Sequence, residues 1–172
     1  MPATWTKIAS TTTTSSANYI TFTSIPNTYT DLMVMGRTGS TGNSGGYSQK
    51  ILFNGGVSAN YNTLDMYITG VSPIQPVSDL TGANFYLDYA ILTDAALRNV
   101  VMCHIFNYAD TSMKKGSVQR QGRGLGTGPG SEILTNSWES TSAIDSIQIR
   151  LFPTSVNWLD GSVMSLYGIK KA

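Results

Sequence analysis

The stretch Ser140 to Lys171 constrains the fold more than any other. In Ile147-Gln148-Ile149-Arg150-Leu151 the apolar residues fall on every second position, with Gln148 and Arg150 between them. That is the period of a strand with one buried face. Pro153 has no amide hydrogen to give a ladder, so the strand stops before it. Asp160-Gly161 is turn chemistry. Ser162 to Lys170 predicts a second strand, with Val163, Ser165, Tyr167 and Ile169 on one face and Met164, Leu166 and Gly168 on the other. Both strands are expected in the core sheets, with the rest of the chain wrapped on them.

The remaining chain repeats the theme. Strands are expected from Trp5 to Ser10, from Asn18 to Ile25 and from Asp31 to Arg37, the last apolar on both faces and therefore central. Thr11 to Ser16 is polar and of low complexity, which predicts a loop. Gly39 to Gly46 is too rich in glycine to pack and predicts a flexible tip. Tyr47 to Phe53 predicts a strand closed by Asn54-Gly55, a hairpin dipeptide. Asn60 to Thr69 follows, with Leu64, Met66 and Ile68 on one face. Gly70 to Gly82, with Pro73 and Pro76, predicts a long surface loop. Asn84 to Leu92 alternates as a strand, while Ala90 to Leu97 fits a short helix or turn. Asn99 to Asn107 is a clear strand. Ser112 to Gln121 is more polar, as an outer or edge strand would be. Gly122 to Gly130 is a second glycine-rich loop, and Glu132 to Trp138 another strand. Nine or ten short strands and no amphipathic helix predict an all-β fold, a two-sheet antiparallel β-sandwich of the jelly-roll kind. A chain of 172 residues suits one domain, 1–172, with no linker or repeat.

Composition narrows the function classes. Charged residues make up 12% of the chain, against about 25% in ordinary soluble domains. Ser, Thr, Asn and Gly take their place. The net charge of +1 offers no field that would steer the chain to nucleic acid or an anionic membrane. Cys103 stands alone and cannot form an internal disulfide, so stability must come from packing or subunit contacts. The start, MPATWTKIAS, lacks the apolar region of a signal peptide. No run reaches the roughly 18 apolar residues of a membrane helix.

No stretch carries a catalytic signature, and no cofactor or metal is expected. His104 is the only histidine, and in a strand its neighbour Cys103 points to the opposite face, so the pair cannot readily share a substrate or metal. A histidine packed or hydrogen-bonded in a sheet is the expectation. The ten acids are scattered, mostly at turns and strand ends. A hydrolase would need two carboxyls about 5–10 Å apart across one bond. GRGLGTGPG superficially resembles a phosphate loop, yet it lacks the Lys-Ser/Thr ending and the helix that the mechanism needs. Arg120 and Arg123 give that loop positive charge for an acidic neighbour. The aromatics are the binding candidates. Trp158, in a polar stretch, is the aromatic with most claim to exposure, and Tyr29 and Tyr61 also sit beside turn residues, but core or subunit packing is the first expectation for all three.

Four patches, NYITFTSIPNTYTDLMVMGR, KILFNGGVSANYN, HIFNYADTSMKK and the ending STSAIDSIQIRLFPTSVNWLDGSVMSLYGIKKA, resemble a family of structural proteins from tailed phages, cyanophages among them. Val71 to Leu97 does not share the likeness. The resemblance implies a β-sandwich virion component displayed outside the particle. It implies no enzyme and supplies no site residues. The first expectation is a capsid decoration (cement) protein, a homotrimer whose partners are the major capsid protein or tail proteins. The alternative is a tail-fibre or tail-tip module that binds a receptor or a host surface glycan. A polysaccharide hydrolase is the third. No nucleic-acid partner and no membrane insertion are expected.

Overall fold

A computed structural model describes residues 4–14, 16–41, 47–56, 61–69, 75–77, 85–91, 98–123 and 130–170, with backbone alone at 47, 67–69, 75–77, 85–91 and 123. Among them twelve strands run in order: β1 Trp5–Thr12, β2 Tyr19–Phe22, β3 Asp31–Thr38, β4 Tyr47–Phe53, β5 Tyr61–Thr69, β6 Gln75–Val77, β7 Phe85–Ile91, β8 Asn99–Ile105, β9 Lys115–Arg123, β10 Gly130–Trp138, β11 Ile147–Phe152 and β12 Val163–Ile169. They form two antiparallel sheets, one of order β1-β12-β3-β8-β9-β10-β5-β6 and one of order β2-β11-β4-β7. The expected all-β antiparallel sandwich is the architecture observed. The closing strands split between the layers, β11 in the small sheet and β12 in the large.

The strand order is nested. β1 pairs with β12, β2 with β11, β3 with β8 and β4 with β7. Successive strands from β1 to β4 alternate between the sheets, and β7, β8, β11 and β12 return along them in reverse. β5–β6 and β9–β10 are additions, and both widen the large sheet beyond β8.

The core lies between the layers. Ile20, Phe22, Ile51, Phe53, Ile147, Ile149 and Leu151 come from the small sheet, and Leu32, Val34, Val101, Cys103, Ile105, Met164 and Leu166 from the large one. These are the alternate positions of their strands, so the period of two dictates which side chains meet.

Several expectations are corrected. Asn54 and Gly55 do form a tight turn, with φ of 54° and 67° and a bond from the Gly56 amide to the Phe53 carbonyl. The turn carries the chain from the small sheet toward the large one and closes no hairpin. Thr11 and Thr12 belong to β1, and Gln75–Val77 is a strand inside the expected surface loop. Gly39 to Thr41 pack: the Leu159 amide donates to Gly39, and Ser40 bridges to Trp158. The rest of that glycine tip (42–46), most of the second glycine loop (124–129) and 92–97 lie outside the described residues.

The strand expected at an edge, β9, lies inside the large sheet between β8 and β10. Its polar side chains Ser117, Gln119 and Gln121 point inward and are buried. Polar groups are tolerated inside only when they satisfy one another. Here the Asn136 amide donates to Gln119, and the Gln121 amide donates to Glu132 at 2.5 Å.

Candidate functional site: the outer face of the large sheet

Alternation gives β5 one polar and one apolar face and gathers Ser117, Gln119 and Gln121 on one face of β9, but it does not say which face turns inward. In β5, Thr63 and Asp65 are buried while Leu64 and Met66 are about half exposed. In β10, Glu132, Leu134 and Asn136 are buried while Ile133 is 41% exposed. In β5 the usual polarity is therefore inverted, and in β9 and β10 polar side chains fill much of the inner face while Val118 and Ile133 turn outward among Arg120, Ser131 and Thr135.

The same outer face continues across the sheet. Of the ten large apolar side chains exposed among the described residues, seven stand on it: Trp5, Leu64, Met66, Val100, Met102, Phe106 and Ile133. Strand register sets these and their neighbours in rows. One row is Tyr167, Met33, His104, Val118, Thr135 and Leu64; the next is Ser165, Met35, Met102, Arg120, Ile133 and Met66. Beyond the second row lie Val163, Arg37 and Val100. Beyond the first lies Asp31, with Trp5 at the sheet margin opposite Ile169.

A depression of about 430 Å³ opens in this face. Met33, nearly buried, lies among its lining residues, and Trp5, Phe106 and Val118 supply further apolar wall. His104 and Arg120 supply its polar groups. Nε2 of His104 lies 3.0 Å from Oδ2 of Asp31, and Oδ1 of Asp31 accepts the Asn107 amide at 2.8 Å. The carboxylate thus fixes the imidazole, whose ring centre is 4.2 Å from that of Phe106. Cys103 points away into the core, where burial pushes its thiol far up from the usual range. The imidazole therefore has no thiol beside it to activate. Among the described residues no cluster of His, Cys, Asp and Glu is arranged to hold a metal.

The sequence-derived candidates separate. Arg120 stands on this face, exposed, at the depression. The side chain of Arg123 lies outside the described residues. Trp158 is wholly buried, the core packing expected ahead of exposure, because its stretch folds back onto segments beside β1 and β3. Its amide donates to Ala17 at 2.8 Å and its backbone bridges to Ser40. Tyr61 is also buried, its hydroxyl accepting the Phe53 amide at 3.2 Å and its ring packed with Phe53 and Trp138. Burial raises its phenol above the ordinary value, and the Phe53 bond opposes that. Tyr29 is half-buried against the core. None of these three aromatics presents a free ring, since each closes a seam between segments distant in sequence.

Trp5 is one of the aromatics the sequence offers for binding, and what sequence reasoning missed was Phe106 and the Asp31–His104 pair. The signal was present in part. Met33, Met35 and Met102 are apolar on the face opposite the core residues of their own strands, which an outer face bathed in water does not require. The small sheet carries a lesser patch, with Tyr19 and Phe152 exposed and Nζ of Lys50 3.4 Å from the Phe152 ring centre. No helix of the described residues is long and apolar enough to cross a membrane. Compared with known proteins, the chain matches no family model, no curated protein and no solved structure.

Proposed function

We propose that this chain is a non-enzymatic structural protein of a bacteriophage particle, carried on the exterior as a capsid decoration protein. One observation carries the reading: the large sheet turns an apolar face outward over most of its width. Exposed apolar area on that scale marks protein–protein contact. A catalytic role would instead require converging polar groups in an enclosed site. The nested strand order supports the reading further. We read it as the winding of a jelly roll with two additions at one sheet edge, an architecture that recurs in viral capsid and lectin domains. The sequence likeness to phage structural proteins points the same way.

Reconstruction of the assembled particle tests the proposal. Density for this sandwich is expected over the capsid surface. Density at the tail tip alone would sink the capsid placement.

A second reading, a glycan-binding module of a tail fibre, is favoured by the depression itself. Trp5 and Phe106 offer apolar ring faces, and His104 and Arg120 offer hydrogen-bonding groups beside them. Sugars are bound by that combination. Binding to host-surface glycans that is lost in Trp5→Ala would favour it, and no binding by the intact protein would remove it.

A further inference from the structure

We infer that the outer face of the large sheet is the contact surface of a two-fold dimer of this chain. In that dimer the two large sheets pack face to face, and the axis runs across the strands. This goes beyond a place in a particle and holds with or without one.

Area is the first argument. The seven exposed apolar side chains are each 36% to 53% accessible. At roughly 200 Å² for a large side chain, they amount to about 600 Å² of apolar surface on one copy. A standard interface covers about 800 Å² per partner. Tyr167, Met35 and Val118, half-buried on the same face, supply more. A single copy of this face therefore has nearly the area that a stable pair needs. A second pleated face, twisted to the same degree, is what packs on it at the usual sheet spacing of roughly 10 Å.

Charge chooses the occupant and the axis. β3 carries Asp31 at one end of the face and Arg37 at the other. Arg37 is exposed, and no ion pair engages it among the described residues. An axis across the strands, between the Met33 and Met35 rows, reverses the strand direction of the second copy. Asp31 of each copy then meets Arg37 of the other, twice. The same operation sets Phe106 against Val100, Leu64 against Met66, and Arg120 over Val118 at the depression. Like charges do not meet. An axis along the strands would keep Asp31 and Arg37 at opposite ends and leave Arg37 unmatched, whereas Asp31 already holds His104. A self-complementary patch is what an isologous two-fold contact requires.

Sedimentation and light scattering of the full chain at micromolar concentration test this. The expected mass is twice the 18.5 kDa of the chain. Arg37→Glu, at an exposed position, is expected to weaken the dimer at least tenfold with an unchanged circular-dichroism spectrum. The double variant Val100→Cys with Phe106→Cys is expected to oxidise to a covalent dimer, and either single variant is not. A monomer, a trimer, or a dimer indifferent to Arg37→Glu would overturn the proposal. So would a covalent dimer formed by Val100→Cys alone, because that places the axis along the strands.

Discussion

The ring of Tyr29 occupies the space that a side chain on Gly168 would need: a Cβ at that position falls 2.3 Å from the ring. The amide of Tyr29 is held by the Tyr108 hydroxyl at 3.4 Å, and Lys170 stands over the ring at 5.7 Å. The glycine in the closing SLYGI segment is therefore a packing requirement. Gly168→Ala is expected to cost about 1–3 kcal/mol by overpacking against a rigid ring. Gly36→Ala is expected to cost less, because the atom it meets first is the thioether of Met164, which can rotate. Urea unfolding of the two variants checks the order, and equal losses would mean that the ring yields.

Trp158 separates stability from assembly. Truncating a wholly buried indole to alanine is expected to cost about 3–5 kcal/mol. Trp158→Phe keeps most of the volume and should leave the association constant unchanged, since the residue reaches no outer face. Denaturation paired with sedimentation of the Phe variant is the measurement.

Cys103 should be silent to thiol reagents in the native protein. It is fully buried, and burial raises its pKa so far that the reactive thiolate is absent at neutral pH. Labelling is expected only under denaturing conditions. Fast labelling at neutral pH without denaturant would show that β8 opens locally.

The acid limb of the stability curve should carry a contribution from Glu139. Hydrogen bonds from Lys114 and then Ser137 hold its carboxyl below the ordinary range. A carboxyl depressed in the folded state stabilises above its unfolded pKa, about 4.3, and that stability is lost as pH falls through the folded value. Glu139→Gln should therefore lower stability at pH 6, and with it the melting temperature, by less than about 1 kcal/mol of free energy for a partly exposed pair. The two melting curves should converge in strong acid. Equal differences at both pH values would assign the effect to lost packing.

Much of the fold was legible because a strand writes its period into the sequence. Ile147 to Leu151 alternate without exception, Val163 to Ile169 bury every second side chain, and both strands appear where the sequence puts them. Period carries no sign, however. Nothing within β5 or β10 says that Thr63 and Glu132 turn inward while Leu64 and Ile133 turn out, because that depends on which amides they meet across the sheet. Exposure of single aromatics was illegible for a related reason. Trp158 sits among polar neighbours, yet Ser40 and Ala17, far away in sequence, are what cover it. The Asp31–His104 pair joins residues on two neighbouring strands that only the completed sheet brings together.

The pairing of β1 with β12 also sets a clock. Among the described strands the first has one neighbour in its sheet, β12, which is made long after it. β3 likewise waits for β8 and β12 before it is covered on either side. At roughly 5–20 residues per second, β1 spends on the order of ten seconds in search of a partner that does not yet exist. The large sheet can close only once β12 has been made, through contacts of long sequence separation, which fold slowly. Until then Leu32, Val34 and the apolar outer residues are all open to solvent together. The window in which this chain is most prone to aggregate is thus set by the time taken to reach its closing strand.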